Sequence, residues 1–118
     1  MEPMVNIALR AARKAGNLIA RASDDLTRLR FEAKGKADFV TEVDLASEQE
    51  LIFNLQKTYP DHAFLCEESG RTGPEDAEYV WIIDPLDGTS NFMRGIPHYC
   101  ISIACTKAGK VEHAVVLD

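Results

Sequence analysis

Trp81-Ile82-Ile83-Asp84-Pro85-Leu86-Asp87-Gly88-Thr89-Ser90-Asn91-Phe92 is the stretch that decides the fold. Its first residues are large, apolar and strand-favouring, and they read as a buried strand. Pro85 interrupts the run, and Asp84 and Asp87 lie three positions apart around it. Gly88-Thr89-Ser90-Asn91 has the composition of a turn that opens a helix. Carboxylates on a turn offer the hard oxygen ligands that Mg²⁺ takes. Backbone N–H groups at a helix start suit a phosphate. Side by side they point to metal-assisted chemistry on a phosphate ester. A plain polar turn after a strand uses the same residues, since Asp, Pro and Gly all favour turns. Both readings stay open on these residues alone.

Working outward, Ala63-Phe64-Leu65-Cys66 is a short apolar run ending in Glu67-Glu68, a strand that presents acids at its C-terminal end. Residues 69–78, with Gly70, Gly73 and Pro74, read as a loop, and Tyr79 to Asp84 as the next strand. Beyond Phe92 the chain is irregular, with Gly95 and Pro97, and His98 reads as structural rather than as a metal ligand. Cys100 to Thr106 and Val111 to Leu117 read as strands joined in a hairpin at Lys107-Ala108-Gly109-Lys110.

Two helices precede the strands. Pro3 suits a first helical turn, and Met4, Ile7, Ala8, Ala11, Ala15, Leu18, Ile19 and Ala22 recur at helical spacing, predicting a helix over about residues 3–23. Asp24 to Lys36 is polar and poorly periodic, and Lys34-Gly35-Lys36 reads as a mobile turn. Thr41-Glu42-Val43-Asp44 fits a capping box with Asp in place of Glu. Leu45, Leu51, Ile52, Leu55 and Tyr59 then predict a second helix over about 42–58. Asp44 in a first turn would complement the helix dipole whatever else it does. The expected fold is α+β, two roughly antiparallel helices on a mainly antiparallel sheet. Its expected core includes Ile7, Ala11, Leu18, Leu51, Leu55, Phe64, Ile82, Ile103 and Val115.

The chain of 118 residues has the size of one domain. Its net charge of −6 argues against nonspecific binding to nucleic acid. Residues 1–30 carry +3, from six bases against three acids, which leaves −9 for the remainder. That basic face reads first as solvated and second as a surface for an acidic partner. No apolar run approaches the roughly 20 residues of a membrane span, and Arg10, Arg13 and Lys14 interrupt any signal-like segment. Cys66, Cys100 and Cys105 show no metal spacing and read as reduced residues of a cytoplasmic protein.

Three stretches resemble the motifs of the inositol monophosphatase family, in its order. Residues 81–92 resemble W-I-I-D-P-(I/L)-D-G-T-(T/S)-N-F, Asp38-Phe39-Val40-Thr41-Glu42-Val43-Asp44 resembles D-x-V-T-x-x-D, and Cys66-Glu67-Glu68-Ser69 resembles G-E-E-S. The opening residues from Pro3 to Gly16 resemble the bacterial, SuhB-type branch. Cys66 replaces the usual glycine and adds bulk beside Glu67, while Ser90 keeps the hydroxyl of the commoner threonine.

The resemblance implies the layered α/β sandwich shared with fructose-1,6-bisphosphatase. It implies Mg²⁺-dependent hydrolysis of inositol monophosphate by metal-activated water, with two or three ions and inhibition by Li⁺. Carried over by position, Glu67, Asp84 and the Leu86 carbonyl would hold one ion, and Asp84 and Asp87 a second. Glu67 would also reach a weaker third. Asp44 and Thr89, with Glu67, would serve catalysis around the attacking water, and the Gly88 and Thr89 N–H groups would hold the phosphate. Lys34 or Lys36 would lie on a loop over the site. Residues 1–118 would be the N-terminal metal- and phosphate-binding domain of a homodimeric protein more than twice as long. Its second half, with a W-D-x-A-A-G motif, is absent here. Other small phosphate esters are alternative substrates: sugar phosphates, nucleotide 3′-phosphates or fructose 1,6-bisphosphate. A non-catalytic role with Nus factors and RNA polymerase in transcription antitermination is an alternative of another class.

Overall fold

The computed structural model describes residues 3–28, 33–66, 69–88, 91–92 and 99–117, with the backbone alone at 27, 28, 33, 34 and 87. Helix α1 (Pro3–Arg28) opens on its proline, where the missing N–H costs nothing. Ala8, Ala11, Ala12, Ala15, Ile19, Ala22 and Leu26 form its buried face, and Arg10, Arg13, Lys14, Asn17 and Arg21 are exposed. The helix passes its expected end near residue 23 because Leu26, four residues after Ala22, continues the same stripe. Small side chains let α1 lie close on the sheet. A methyl group added at Gly16 would stand 3.5 Å from Leu117 Cδ2.

Helix α2 (Ala33–Thr58) begins well before residue 42, which corrects the expected start. Thr41 does not cap it. Its Oγ1 donates to the Ala37 carbonyl at 3.0 Å, one turn back within the helix, as hydroxyls in mid-helix do. The residues around Gly35 favour helix, and the roughly 1 kcal/mol cost of one glycine does not stop the run. The expected Lys34-Gly35-Lys36 turn is therefore helical. The two helices run antiparallel. Lys14 Nζ donates to Asn54 Oδ1 at 3.1 Å, while Leu18 and Ala22 line a groove with Phe39 and Val43.

Strands β1 (Ala63–Cys66), β2 (Gly70–Thr72), β3 (Tyr79–Asp87), β4 (Cys100–Lys107) and β5 (Lys110–Leu117) form one sheet in the order β2-β1-β3-β4-β5. The β1–β3 pair is parallel and the other pairs are antiparallel. This is the mainly antiparallel α+β arrangement read from the sequence. β2 falls inside the stretch read as a loop. It is three residues long, too short to show an alternating pattern. The β4–β5 hairpin turns at Ala108-Gly109, both in the left-handed region.

The helices cover one face of the sheet. Alternation along β3 sends Trp81 and Ile83 into the core and leaves Ile82 45% exposed on the other face. Ile82 was expected in the core, and the structure overturns that. An all-apolar run carries no parity, so its sequence cannot say which residues face the helices. Leu65, its partner across the ladder, shares that open face. Ala11, Leu51, Leu55, Phe64, Ile103 and Val115 are buried as expected, and Ile7 and Leu18 are partly buried against them. Among the described residues no helix is long and apolar enough to cross a membrane.

Candidate metal and phosphate site

β3 and β4 pair residue for residue as far as Asp84 opposite Ser102, and the next pair is Asp87 opposite Cys100. Three steps along β3 thus match two along β4, which is a β-bulge at Pro85-Leu86. In an unbroken strand, positions 84 and 87 would alternate to opposite faces. The extra residue shifts the alternation by one, so both register positions fall on one face of the ladder. Pro85 suits this place because it has no N–H to contribute to the ladder. It is fully buried, and its carbonyl accepts a hydrogen bond from Ser47 Oγ of α2 at 2.9 Å. Gly88, with φ of 88°, then takes the chain out of the strand. The Phe92 N–H donates to the Gly88 carbonyl at 3.0 Å. The Phe92 ring is buried edge-on to Tyr99, with centroids 5.2 Å apart.

Asp84 is half-buried, Leu86 is buried in the bulge, and Asp87 ends β3. Asp44 is half-buried on α2, one turn before the residues that touch Pro85 and Ser69. Lys36 lies half-buried near the start of α2. Lys34 belongs to the same helix, and its side chain lies outside the description. Glu67 and Thr89 also lie outside the described residues. Among the described residues, no group of three or more His, Cys, Asp and Glu is arranged to hold a metal ion. The donors at the bulge are carboxylates and a backbone carbonyl, an all-oxygen set that fits Mg²⁺. Cys66, the cysteine next to the acids in sequence, offers no competing thiolate. Burial, helped by the charge of Glu48, pushes its thiol up to about 12.

Two residues of α2 escaped the sequence reading. Ser47 and Glu48 are both fully buried. Ser47 reaches Pro85 as described, and Glu48 Oε1 accepts hydrogen bonds from the Ser69 N–H at 3.0 Å and from the Ser69 hydroxyl. A signal was present. Val43, Ser47, Leu51 and Leu55 follow helical spacing, and a polar residue on such a stripe asks for a partner.

Comparison with known proteins gives a match to the inositol monophosphatase family over residues 1–118. The Nus factor SuhB of Pseudomonas aeruginosa is 53% identical over 120 residues, covering 100% of this chain and 44% of that protein. The crystal structure of the extragenic suppressor protein SuhB from Bartonella henselae superposes with a TM-score of 0.84 at 34% identity, over 98% of this chain and 43% of that one. Inositol monophosphatase II from Staphylococcus aureus superposes with a TM-score of 0.77 at 29% identity, over 98% and 42% of the two chains. The form of that enzyme with inositol monophosphate bound superposes at 0.75. The chain thus spans less than half the length of each of these proteins.

Proposed function

The chain belongs to the inositol monophosphatase family, and on that premise we propose that it is the N-terminal, metal- and phosphate-binding part of a Mg²⁺-dependent phosphatase that hydrolyses inositol monophosphate. The bulge at Pro85-Leu86 supports this reading most directly, because it sets the positions of Asp84 and Asp87 on one face at the end of β3. When bound, Mg²⁺ supplies a more acidic water and neutralises charge on the phosphoryl oxygens. Asp84, Asp87 and the Leu86 carbonyl are the oxygen donors that would hold it, together with Glu67. Asp44 and Thr89 orient the attacking water and take its proton. The N–H groups of Gly88 and Thr89 hold the phosphate. Lys34 and Lys36 lie at the start of α2 and add positive charge toward an anionic substrate. None of these steps needs a cysteine or histidine nucleophile.

The test uses the whole protein, with the C-terminal part that its relatives carry. Phosphate release is measured with inositol monophosphate, a nucleotide 3′-phosphate and fructose 1,6-bisphosphate, with and without Mg²⁺ and Li⁺. The expected result is Mg²⁺-dependent release, fastest from inositol monophosphate and suppressed by millimolar Li⁺. No release from any ester would refute the reading.

The Pseudomonas relative, a Nus factor, supports a second role. A SuhB-type protein with the exposed basic face Arg10, Arg13, Lys14 and Arg21 would also engage Nus factors and RNA polymerase. A pulldown with Asp87→Asn separates the roles: a transcription partner keeps its complexes while turnover is lost.

A further inference from the structure

A buried glutamate is costly unless its charge is well partnered, and an apolar residue of similar size is often no worse for stability. Glu48 stands at 0% exposure, one turn before Leu51 on the core-facing side of α2. Its Oε1 accepts from both the amide and the hydroxyl of Ser69, which sits directly after Glu68. On the other side of the acid pair, Cys66 is fixed by the sheet, pairing with Gly70 of β2 and Ile83 of β3. The chain carrying Glu67 and Glu68 is therefore anchored at both ends, once by the ladder and once by Glu48. Ser47, the preceding residue, holds the Pro85 carbonyl inside the bulge between Asp84 and Asp87. Adjacent residues of one helical turn thus hold Ser69, beyond the acid pair in sequence, and the bulge of β3.

We propose that Glu48, assisted by Ser47, is a positioning residue that sets the spacing between the Cys66–Ser69 connection and the Asp84–Asp87 bulge, and through that spacing the Mg²⁺ affinity. This rests on the metal reading proposed above. Glu48 touches neither metal nor substrate in this scheme. It acts through Ser69, and Ser47 acts through Pro85. The arrangement explains why two polar side chains interrupt an otherwise apolar stripe. Removing the Glu48 carboxylate would leave the Ser69 amide and hydroxyl without this acceptor and let one strand end drift from the other. Groups that orient metal ligands from outside the coordination sphere typically carry about 10- to 100-fold in metal affinity.

The experiment is thermal unfolding of the whole protein across a series of Mg²⁺ concentrations, for the unsubstituted chain, Glu48→Ala, Glu48→Gln, Ser69→Ala and Thr106→Ala. Tm without Mg²⁺ reports the structural contribution of each side chain, and the rise of Tm with Mg²⁺ gives an apparent Kd. Glu48→Ala should weaken Mg²⁺ binding about tenfold or more. Glu48→Gln keeps an acceptor oxygen and should fall between it and the unsubstituted chain. Ser69→Ala, at an exposed position, should fold normally and weaken binding in the same direction by a smaller factor. Thr106 donates to the Val80 carbonyl at 3.0 Å, toward the opposite end of β3. Its alanine variant should lower Tm and leave the Kd unchanged. An unchanged Kd in Glu48→Ala overturns the inference, as does an unchanged Kd in Ser69→Ala should Glu48→Ala fail to fold. A whole protein whose Tm does not respond to Mg²⁺ at all overturns the metal reading itself.

Discussion

Gly73 shows how tightly one residue can be specified. Its φ is 93°, and an added Cβ would stand 2.8 Å from Ala63 Cα and 2.9 Å from the His62 carbonyl oxygen. Both neighbours are backbone at the start of β1, so neither can yield without moving the strand. Gly73→Ala should therefore destabilise the chain by about 1–3 kcal/mol, read as a lower midpoint in urea unfolding. A midpoint equal to that of the unsubstituted chain would contradict the close approach. At this scale the sequence was legible where residue type alone decides, as with the all-oxygen donors of the signature. It was silent where a partner decides. Nothing in Ser47 or Glu48 names Pro85 or Ser69, because those contacts join residues 38 and 21 positions apart. Ile82 failed for another reason: flanked by Trp81 and Ile83, it has no local mark of which face it takes.

Among the elements, the connection from α2 into β1 is fastened by an aromatic stack with a titratable centre. His62 lies between Tyr59 and Tyr79, with ring centroids 4.6 and 4.8 Å away. The Trp81 Nε1–H donates to His62 Nδ1 at 2.9 Å, a bond that requires the neutral imidazole. Burial holds the His62 pKa below its usual 6.5, against the opposing pull of Asp61 and Glu78. The unfolded chain then binds a proton at a pH where the folded chain does not, so stability falls as pH drops below 6.5. Above that value the contribution is fully present. Tm should decline from about pH 6.5 to 5, and His62→Gln should flatten the profile over that window. An equally steep decline in the variant would contradict the stack as its source. The hairpin and both helices were legible from spacing and turn residues. The start of α2 was not. The Thr41 hydroxyl can satisfy either a cap or the Ala37 carbonyl, and helix propagation through Gly35 selected the second. The bulge was equally unreadable, since Asp-Pro-Leu-Asp has the composition of an ordinary turn.

For the whole molecule, one face of the sheet is covered by helices and the other carries Leu65 and Ile82 in the open. β5 ends the strand order among the described residues, with Val111 and Val116 exposed at 66% and 64%. An uncovered apolar face and an exposed edge strand favour association. The 118-residue chain should self-associate at micromolar concentration in sedimentation velocity. A monomer at all concentrations would contradict the prediction. The same chain should be a poor phosphatase beside the whole protein. On the proposed reading a further metal-binding aspartate and the residues that hold the alcohol would lie in the part of its relatives that this chain does not span, and orientation contributes several kcal/mol to a barrier. Family membership and the α+β architecture were legible at this scale because three motifs survive in order along the chain. Which phosphate ester is chosen was not: none of the motifs read here carries a substrate-selecting residue, and the chain spans less than half the length of its relatives.

The central claim is that the Asp84–Asp87 bulge carries the metal chemistry of the whole protein. The most direct measurement is steady-state phosphate release from inositol monophosphate by the whole protein and by its Asp84→Asn variant, at saturating Mg²⁺, with Tm confirming that both are folded. The amide keeps the size of the side chain and removes the carboxylate charge that would hold Mg²⁺. Loss of nearly all turnover with little change in Tm is the predicted result. Turnover equal to that of the unsubstituted protein would contradict the claim.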